Sequence, residues 1–236
     1  KQKTAYEISL GLVGSEMCIR DSTLIARSQE KLDSTGSELA QNNDQNHSTV
    51  CADFDDPETL KEKVNSQIST LGKPVDILVN NSGGPHGGAL IEAEEDEFRT
   101  AFERLLICNH IMAKAVVPGM KEQGSGRIIN IISTSVKEPI AGLGVSNTIR
   151  GAMASWSKTM SKELPRGITI NNVLPGFTST GRLEELKKTL AKQRNCTTED
   201  VESTWLETVP EGRLATPSEL GSVVAFLASP EASFVR

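Results

Sequence analysis

The sequence predicts an α/β fold in which a parallel sheet carries helices on both faces. Short apolar and β-branched runs alternate with stretches of helical apolar spacing, and most of these runs are apolar enough for strands buried on both faces. A strand, helix, strand, helix order with short connections is typical of a doubly wound sheet. Aromatic residues make up only 4% of the 236 residues, which favours such a sheet over a β-sandwich.

Five runs are predicted to be strands. They are TLIA (23–26), STVCAD (48–53), VDILVN (75–80), RIINII (127–132) and ITINNVL (168–174). All five are short and bounded by polar or turn-forming residues, as strands of an α/β sheet are.

Helices are predicted between these strands, and capping residues mark several of their ends. Ser28 is expected to cap a helix that runs to about Ala40, and Pro57 after Asp56 opens a helix that runs to about Leu71. Longer helices are predicted over 96–122 and 146–164, and the second has one apolar stripe. Thr216-Pro217-Ser218-Glu219 combines a capping box with proline at the first helical position and opens a helix that ends near Ala228.

Composition excludes several classes of protein. A formal net charge of −6 without a Lys/Arg cluster argues against nucleic-acid binding. The four scattered cysteines indicate free thiols in a reducing compartment, the cytoplasm, and the three isolated histidines predict no metal site. No apolar run is long enough to span a bilayer, so we expect no membrane association.

Residues 1–22 do not fit the pattern of the rest. They could form a signal peptide, but no small-residue cleavage site follows. They could form an opening strand and glycine loop, but only eight residues separate Gly14 from Thr23, too few for a parallel crossover. We favour a third interpretation, in which 1–22 is a non-native leader of sequencing origin and 23–236 is one partial domain.

In a doubly wound sheet, ligands bind beyond the carboxyl ends of the strands, so the residues that follow each strand are informative. Arg27 follows the first strand, where an arginine suits the 2′-phosphate of NADP; a solvated loop arginine is the alternative. Asp53 follows the second strand, where its carboxylate could accept a hydrogen bond from an adenine amino group; a helix cap is the alternative.

Two glycine-bearing turns follow later strands. In NNSGGPHGG (80–88), Asn80, Ser82 and Gly83 are predicted to contact a flat cofactor, since glycine lets the backbone approach closely. A plain glycine-rich turn is the alternative. PGFTST (175–180) follows the fifth strand, and its Pro175, Gly176, Thr178 and Thr180 are predicted to fix the turn and offer donors to an amide or phosphate.

Three side chains carry the predicted chemistry. Ser133 ends the fourth strand, Ser146 lies thirteen residues further on, and Arg150 lies one helical turn after Ser146. Two hydroxyls and a cation that converge on a carbonyl oxygen would stabilise the negative charge that develops there during hydride transfer. We therefore assign Ser133, Ser146 and Arg150 as candidate catalytic residues.

These residues together resemble the short-chain dehydrogenase/reductase family, most closely its 3-oxoacyl-(acyl carrier protein) reductase-like members. The resemblance runs from about Thr23 to Arg236 and rests on the order of several motifs. They are Asp53, NNSG (80–83), GRIINIIS (126–133), NNVLPGFTST (171–180) and the stretch from GRLATPSEL to FLASPEASFV (212–235).

The chain departs from the family's Ser, Tyr, Lys and Asn tetrad at three positions. Ser133 matches the serine, but the tyrosine position is Ser146, the lysine position is Arg150 and the asparagine position is Leu105. The only tyrosine is Tyr6, in the leader. The chain is similar to an atypical branch that carries SN-x-x-R in place of Y-x-x-x-K. An aliphatic hydroxyl is far less acidic than a phenol, so a proton would have to arrive through a water held by Ser146 or from the substrate side. The resemblance implies that Arg150 still binds the cofactor ribose, as the family's lysine does.

The resemblance implies an NADP-dependent oxidoreductase, with NAD as the alternative cofactor, that acts on a small-molecule carbonyl or acyl substrate. It also implies a Rossmann-type sheet and a homo-oligomer, dimer or tetramer, built through the helices at 96–122 and 146–164. Because the family's opening strand with its TGxxxGIG loop and its last strand have no match here, we expect an incomplete sheet and a poorly soluble chain that binds NADP weakly or not at all. The alternative function is a non-catalytic dinucleotide-binding sensor or partner subunit.

The segment 184–210 lies where the family has its substrate loop. Lys187, Lys188, Lys192 and Arg194 of that segment could attract an acyl-carrier arm, but we favour a solvated helix face.

Overall fold

The computed structural model describes residues 21–39 and 45–236. Predictions for residues 1–20, Tyr6 included, and for a helix end at Ala40 lie outside this part of the chain. The five predicted strands are present within two residues of their predicted bounds. They are β1 (Thr23–Ala26), β2 (Ser48–Cys51), β3 (Ile77–Asn80), β4 (Gly126–Ile131) and β5 (Ile168–Val173).

Eight α-helices lie in the described residues. They are α1 (Gln29–Glu38), α2 (Pro57–Leu71), α3 (Glu95–Phe102), α4 (Cys108–Gln123), α5 (Gly144–Glu163), α6 (Gly181–Arg194), α7 (Thr198–Leu206) and α8 (Pro217–Ala228). The predicted caps are confirmed. Ser28 accepts from the Lys31 amide at the start of α1, Asp56 caps α2, and Thr216 and Glu219 form a capping box at α8.

Two stretches differ from the prediction. The single helix expected over 96–122 contains a π-helical segment, Glu103–Ile107, which joins α3 to α4 without a break. The segment 184–210 lies mostly in α6 and α7, which the sequence analysis did not predict as separate helices. Thr197 and Asp200 form a capping box at α7, and this local signal was readable from the sequence.

All strand pairs are parallel. β1 pairs with β2, and β4 lies between β3 and β5. Among the described residues no hydrogen-bonded strand pair joins the two sheets, yet Val50 of β2, Leu78 of β3 and Ile128 of β4 share one core cluster with residues of α2, α4 and α5.

Helices cover both faces of β4. Ile128 points to the face under α2 and α4, whereas Ile129 and Ile131 belong to the cluster with Val224 and Leu227 of α8. This arrangement confirms the predicted α/β class, and it brings the carboxyl ends of β3, β4 and β5 to one edge.

Candidate active site

Close backbone contacts hold the start of α5 against the turn that follows β3. The Gly88 amide donates to the Gly142 carbonyl at 2.7 Å, and the Gly144 amide donates to the Gly88 carbonyl at 3.3 Å. A Cβ atom at Gly144 would lie 2.7 Å from the Leu90 Cα, so a larger residue would push the two segments apart. The first turn of α5, which carries Ser146, is thereby placed beside the glycine-rich turn 83–88.

Arg150 joins α5 to the carboxyl end of β4. Its Nη1 donates to the Ile132 carbonyl at 2.7 Å and to the Ile131 carbonyl at 3.3 Å, and its Nε donates to Ser146 Oγ at 3.3 Å. Ser133 follows Ile132 directly, and its Oγ accepts from the Ser135 amide at 3.1 Å. One guanidinium therefore holds Ser146 and the strand end from which Ser133 projects.

The charge on Arg150 has no carboxylate partner among the described residues, because its acceptors are a hydroxyl and two carbonyl oxygens. Burial, and to a smaller extent the nearby Arg182, lower the pKa of Arg150 to about 10. The group is still cationic at neutral pH. A partly buried cation without an anion is costly to a fold, which makes Arg150 a candidate functional residue.

Two guanidiniums flank two consecutive residues of the glycine-rich turn. A Cβ atom at Gly84 would lie 3.2 Å from Arg150 Nη2 and 3.8 Å from Ser146 Oγ. Arg182, in the first turn of α6, donates through Nη2 to the Pro85 carbonyl at 2.7 Å. The sequence analysis did not select Arg182, although its place directly after PGFTST was a signal.

The residues predicted to hold a cofactor form a surface with unsatisfied donors and open space. Ser82 Oγ is buried and has no hydrogen-bond partner among the described residues. No atom lies within 4 Å of a Cβ position at Gly83, so a flat ring could approach the backbone there. Arg150 Nη2 likewise lacks an acceptor within the described chain. This set of donors fits the amide and ribose hydroxyls of a nicotinamide nucleoside.

The turn after β5 lies against the turn after β4. The Thr134 amide donates to the Pro175 carbonyl at 3.1 Å, and a Cβ atom at Gly176 would lie 3.9 Å from Thr134 Cγ2. Thr178 is buried and pairs with Ala215 in a parallel bridge, while Thr180 Oγ1 caps α6 by accepting from the Leu183 amide. Because Thr180 Oγ1 accepts in this bond, its own proton stays available to a ligand.

Comparison with known proteins decides the family. A family model described as enoyl-(acyl carrier protein) reductase matches residues 22–236. The chain belongs to the short-chain dehydrogenase/reductase family. It is 35% identical over 180 residues to the 3-oxoacyl-[acyl-carrier-protein] reductase FabG of Vibrio cholerae, a match that covers 76% of this chain and 69% of that one.

Two further similar proteins support the same family. The FabG protein of Salmonella typhimurium is 31% identical over 219 residues, covering 90% of this chain and 85% of its own. A structure of actinorhodin polyketide ketoreductase with NADPH superposes with a TM-score of 0.84 at 29% identity and covers 99% of this chain and 89% of the other. The prediction of an NAD(P)-dependent oxidoreductase similar to 3-oxoacyl-(acyl carrier protein) reductase is therefore confirmed.

At the position of the family asparagine, this reductase has an apolar environment. Leu105 is 3% exposed and lies in a cluster with Ile132, Val145 and Ile149. The π-helical segment around it is present all the same. No polar side chain is therefore offered from this position to the site.

The structure gives the present surroundings of three further residues predicted to contact a cofactor, Asn80, Asp53 and Arg27. The Asn80 side chain is buried and donates to Asn130 Oδ1 at 2.8 Å, so a cofactor contact would fall to its backbone. Asp53 is exposed and accepts from the Asp55 amide at 3.0 Å. Arg27 is exposed at the end of β1, and no acceptor for its side chain lies among the described residues.

Residues 21–39 and 45–236 contain neither a helix with the length and apolarity to cross a membrane nor a grouping of three or more His, Cys, Asp or Glu suited to a metal ion.

Proposed function

We propose that this chain reduces the carbonyl group of a small-molecule substrate, or oxidises the corresponding alcohol, with Ser133, Ser146 and Arg150 in contact with the substrate oxygen. A bound NADP, or NAD, supplies or accepts the hydride. The observation that carries the proposal is the hydrogen bond from Arg150 Nε to Ser146 Oγ.

That bond sets the direction of the Ser146 hydroxyl. A guanidinium can only donate, so Ser146 Oγ accepts, and its own proton is left to donate elsewhere. The Ser133 hydroxyl also keeps its proton available to donate, because its Oγ accepts from the Ser135 backbone amide. Two hydroxyl protons are thus available for one carbonyl oxygen, and Arg150 supplies a fixed positive charge as negative charge develops there.

Proton delivery differs from that in members with a phenol. Serine is too weakly acidic to release its proton, and arginine stays cationic, so the proton arrives through a water molecule held by Ser146. General acid catalysis contributes roughly 10²–10⁴-fold, so we expect slow turnover rather than none. The alternative, a non-catalytic dinucleotide-binding protein, predicts binding without turnover.

The rate of NADPH oxidation distinguishes a reductase from a non-catalytic dinucleotide-binding protein. It is measured with a panel of 3-oxoacyl thioesters, ketones, oxo acids and quinones. We expect Ser133→Ala and Ser146→Ala each to lower kcat/KM by about 10²–10³-fold, since each removes a donor to the developing oxyanion. Thr148→Ala, an exposed hydroxyl on the same helix, is the matched control. Cofactor binding without turnover of any substrate would establish the alternative.

We also infer a cytoplasmic homo-oligomer, a dimer or tetramer, associated through α4 and α5. The described cysteines Cys51, Cys108 and Cys196 are free thiols, which suits a reducing compartment. His110 of α4 and Trp156 of α5 meet edge to face with ring centroids 6.2 Å apart, and they form a rigid patch suited to an interface. Light scattering after gel filtration tests the oligomer.

A further inference from the structure

The strongest unexplained feature outside the hydride-transfer chemistry is an excess of positive charge at the mouth of the site. Arg150 is partly buried without a carboxylate partner in the described chain, and Arg182 lies close enough to influence its pKa. Both guanidiniums face the Gly84-Pro85 step of the glycine-rich turn. Consecutive Cα atoms are about 3.8 Å apart, so the two cations border one small space.

Their free donors point to an anion that arrives from outside. Arg150 Nη2 has no acceptor among the described residues. Arg182 is partly balanced by Glu185, but the contact is 4.0 Å long and both side chains are more than 40% exposed, so it contributes little. Guanidinium groups prefer planar oxyanions that accept two parallel hydrogen bonds, as carboxylates do.

We propose that the substrate is a short oxo acid whose carboxylate is bound between Arg150 and Arg182. The inference rests on the proposed function and adds the substrate class. With the carboxylate held at Gly84-Pro85, a carbonyl one or two carbons away lies beside the Ser146 hydroxyl, whose Oγ is 3.8 Å from a Cβ position at Gly84. Arg182 is then a specificity-determining residue. Arg150 Nη2 carries two N–H groups, so it can donate one hydrogen bond to a cofactor ribose hydroxyl and one to the carboxylate, while Ser133 and Ser146 donate to the carbonyl oxygen.

Two apolar side chains lie beside the same turn. Leu143 Cδ2 and Leu186 Cδ1 lie 3.5 and 4.0 Å from a Cβ position at Gly87, two residues after Pro85. Exposed acidic residues of 92–97 would repel the anion only weakly, because water and salt screen them.

The test compares substrates that differ only in charge. NADPH oxidation is measured with 2-oxobutanoate and 3-oxobutanoate and with the methyl ester of each. We expect kcat/KM for at least one acid to exceed that for its ester by about 10- to 100-fold, the effect of hydrogen bonds to a charged group. A preference for the ester overturns the inference and leaves the proposed function standing. No oxidation with any acid, ester or other panel substrate overturns the proposed function.

A variant separates charge from packing. Arg182→Gln keeps an amide donor for the Pro85 carbonyl but removes the charge, so we expect the acid-to-ester ratio to fall toward one through a higher KM for the acid. Arg182→Lys should recover part of the ratio. Lys188→Gln, an exposed cation on the same helix, controls for net charge and should leave the ratio unchanged. An unchanged ratio in Arg182→Gln contradicts the inference.

A binding measurement gives a readout that does not depend on turnover. Malonate, an unreactive dicarboxylate, should raise the Tm of the unmodified chain in the absence of cofactor, and this rise should be lost in Arg182→Gln. Methyl acetate at the same concentration is the neutral control. No shift with malonate in the unmodified chain counts against the site.

Discussion

At the scale of single residues, Arg150 shows why arginine and lysine are not interchangeable here. The rigid guanidinium uses Nη1 to hold two carbonyls at the end of β4 and Nε to hold Ser146, and Nη2 is left over. A lysine ammonium is a compact point charge on a flexible stem and could not occupy these directions at once. The arginine therefore fixes the geometry of the site and also supplies its charge.

Replacing Ser146 and Arg150 with the tyrosine and lysine of the family tests this interpretation. We expect Ser146→Tyr combined with Arg150→Lys to raise kcat of a weakly active chain. The reason is that a phenol with a pKa of about 10, lowered by a neighbouring ammonium, can donate its proton directly. Stopped-flow or steady-state NADPH oxidation measures the gain, and circular dichroism confirms the fold. A folded double variant without any gain would indicate that the pocket uses different chemistry.

At the scale of elements, a row of amides ties the three strands that carry the site. Asn130 of β4 accepts from Asn80 Nδ2 at 2.8 Å and donates to Asn172 Oδ1 at 3.0 Å and to Ser157 Oγ of α5 at 3.2 Å. The strand register places all three asparagines side by side. These bonds hold β3, β4 and β5 level at, or one residue before, the end of each strand.

Removing the side-chain amide of Asn130 should destabilise the sheet formed by β3, β4 and β5. We expect Asn130→Ala to lower the free energy of unfolding by about 2–4 kcal/mol, because a cavity forms and buried partners lose their hydrogen bonds. Urea unfolding followed by circular dichroism measures the change. Asn65→Ala, an exposed amide on α2, is the control and should change it by less than about 0.5 kcal/mol. A loss of under about 1 kcal/mol at Asn130 would show that the row adds little.

At the scale of the whole molecule, the two sheets differ in how firmly they are held. β4 is paired on both sides and five of its six residues are buried, whereas no residue of β1 is fully buried and its described partner is β2 alone. The two sheets meet through side chains in one core cluster. Local stability is therefore expected to fall from β4 toward β1.

Hydrogen exchange followed by mass spectrometry measures this gradient. We expect amides of β4 to exchange at least about tenfold more slowly than those of β1, because opening β4 requires breaking two ladders and a buried core. Peptides that cover α8 serve as an internal reference for a helix packed on the same sheet. Equal protection in β1 and β4 would mean that the two sheets open as one unit.

Much of this architecture was readable from the order of residues. Apolar runs located all five strands, and the polar atoms of Ser28, Asp56 and Thr216 located helix starts, because these signals depend on neighbours a few residues apart. The candidates Ser133, Ser146 and Arg150 followed from the same logic, since residues directly after parallel strands share one edge. Residue types and their local spacing thus determined the fold class and the family, and they selected the residues of the candidate site.

Other features depended on tertiary structure. The contacts of Arg150 with the end of β4, of Arg182 with Pro85 and of Asn80 with Asn130 join residues 18, 97 and 50 positions apart. No local pattern encodes them, because they depend on how helices pack on the sheet and on strand register. Packing alone decided that Ser146 accepts from a guanidinium, that Arg150 has no anion beside it in the described chain, and that a second cation faces the same turn.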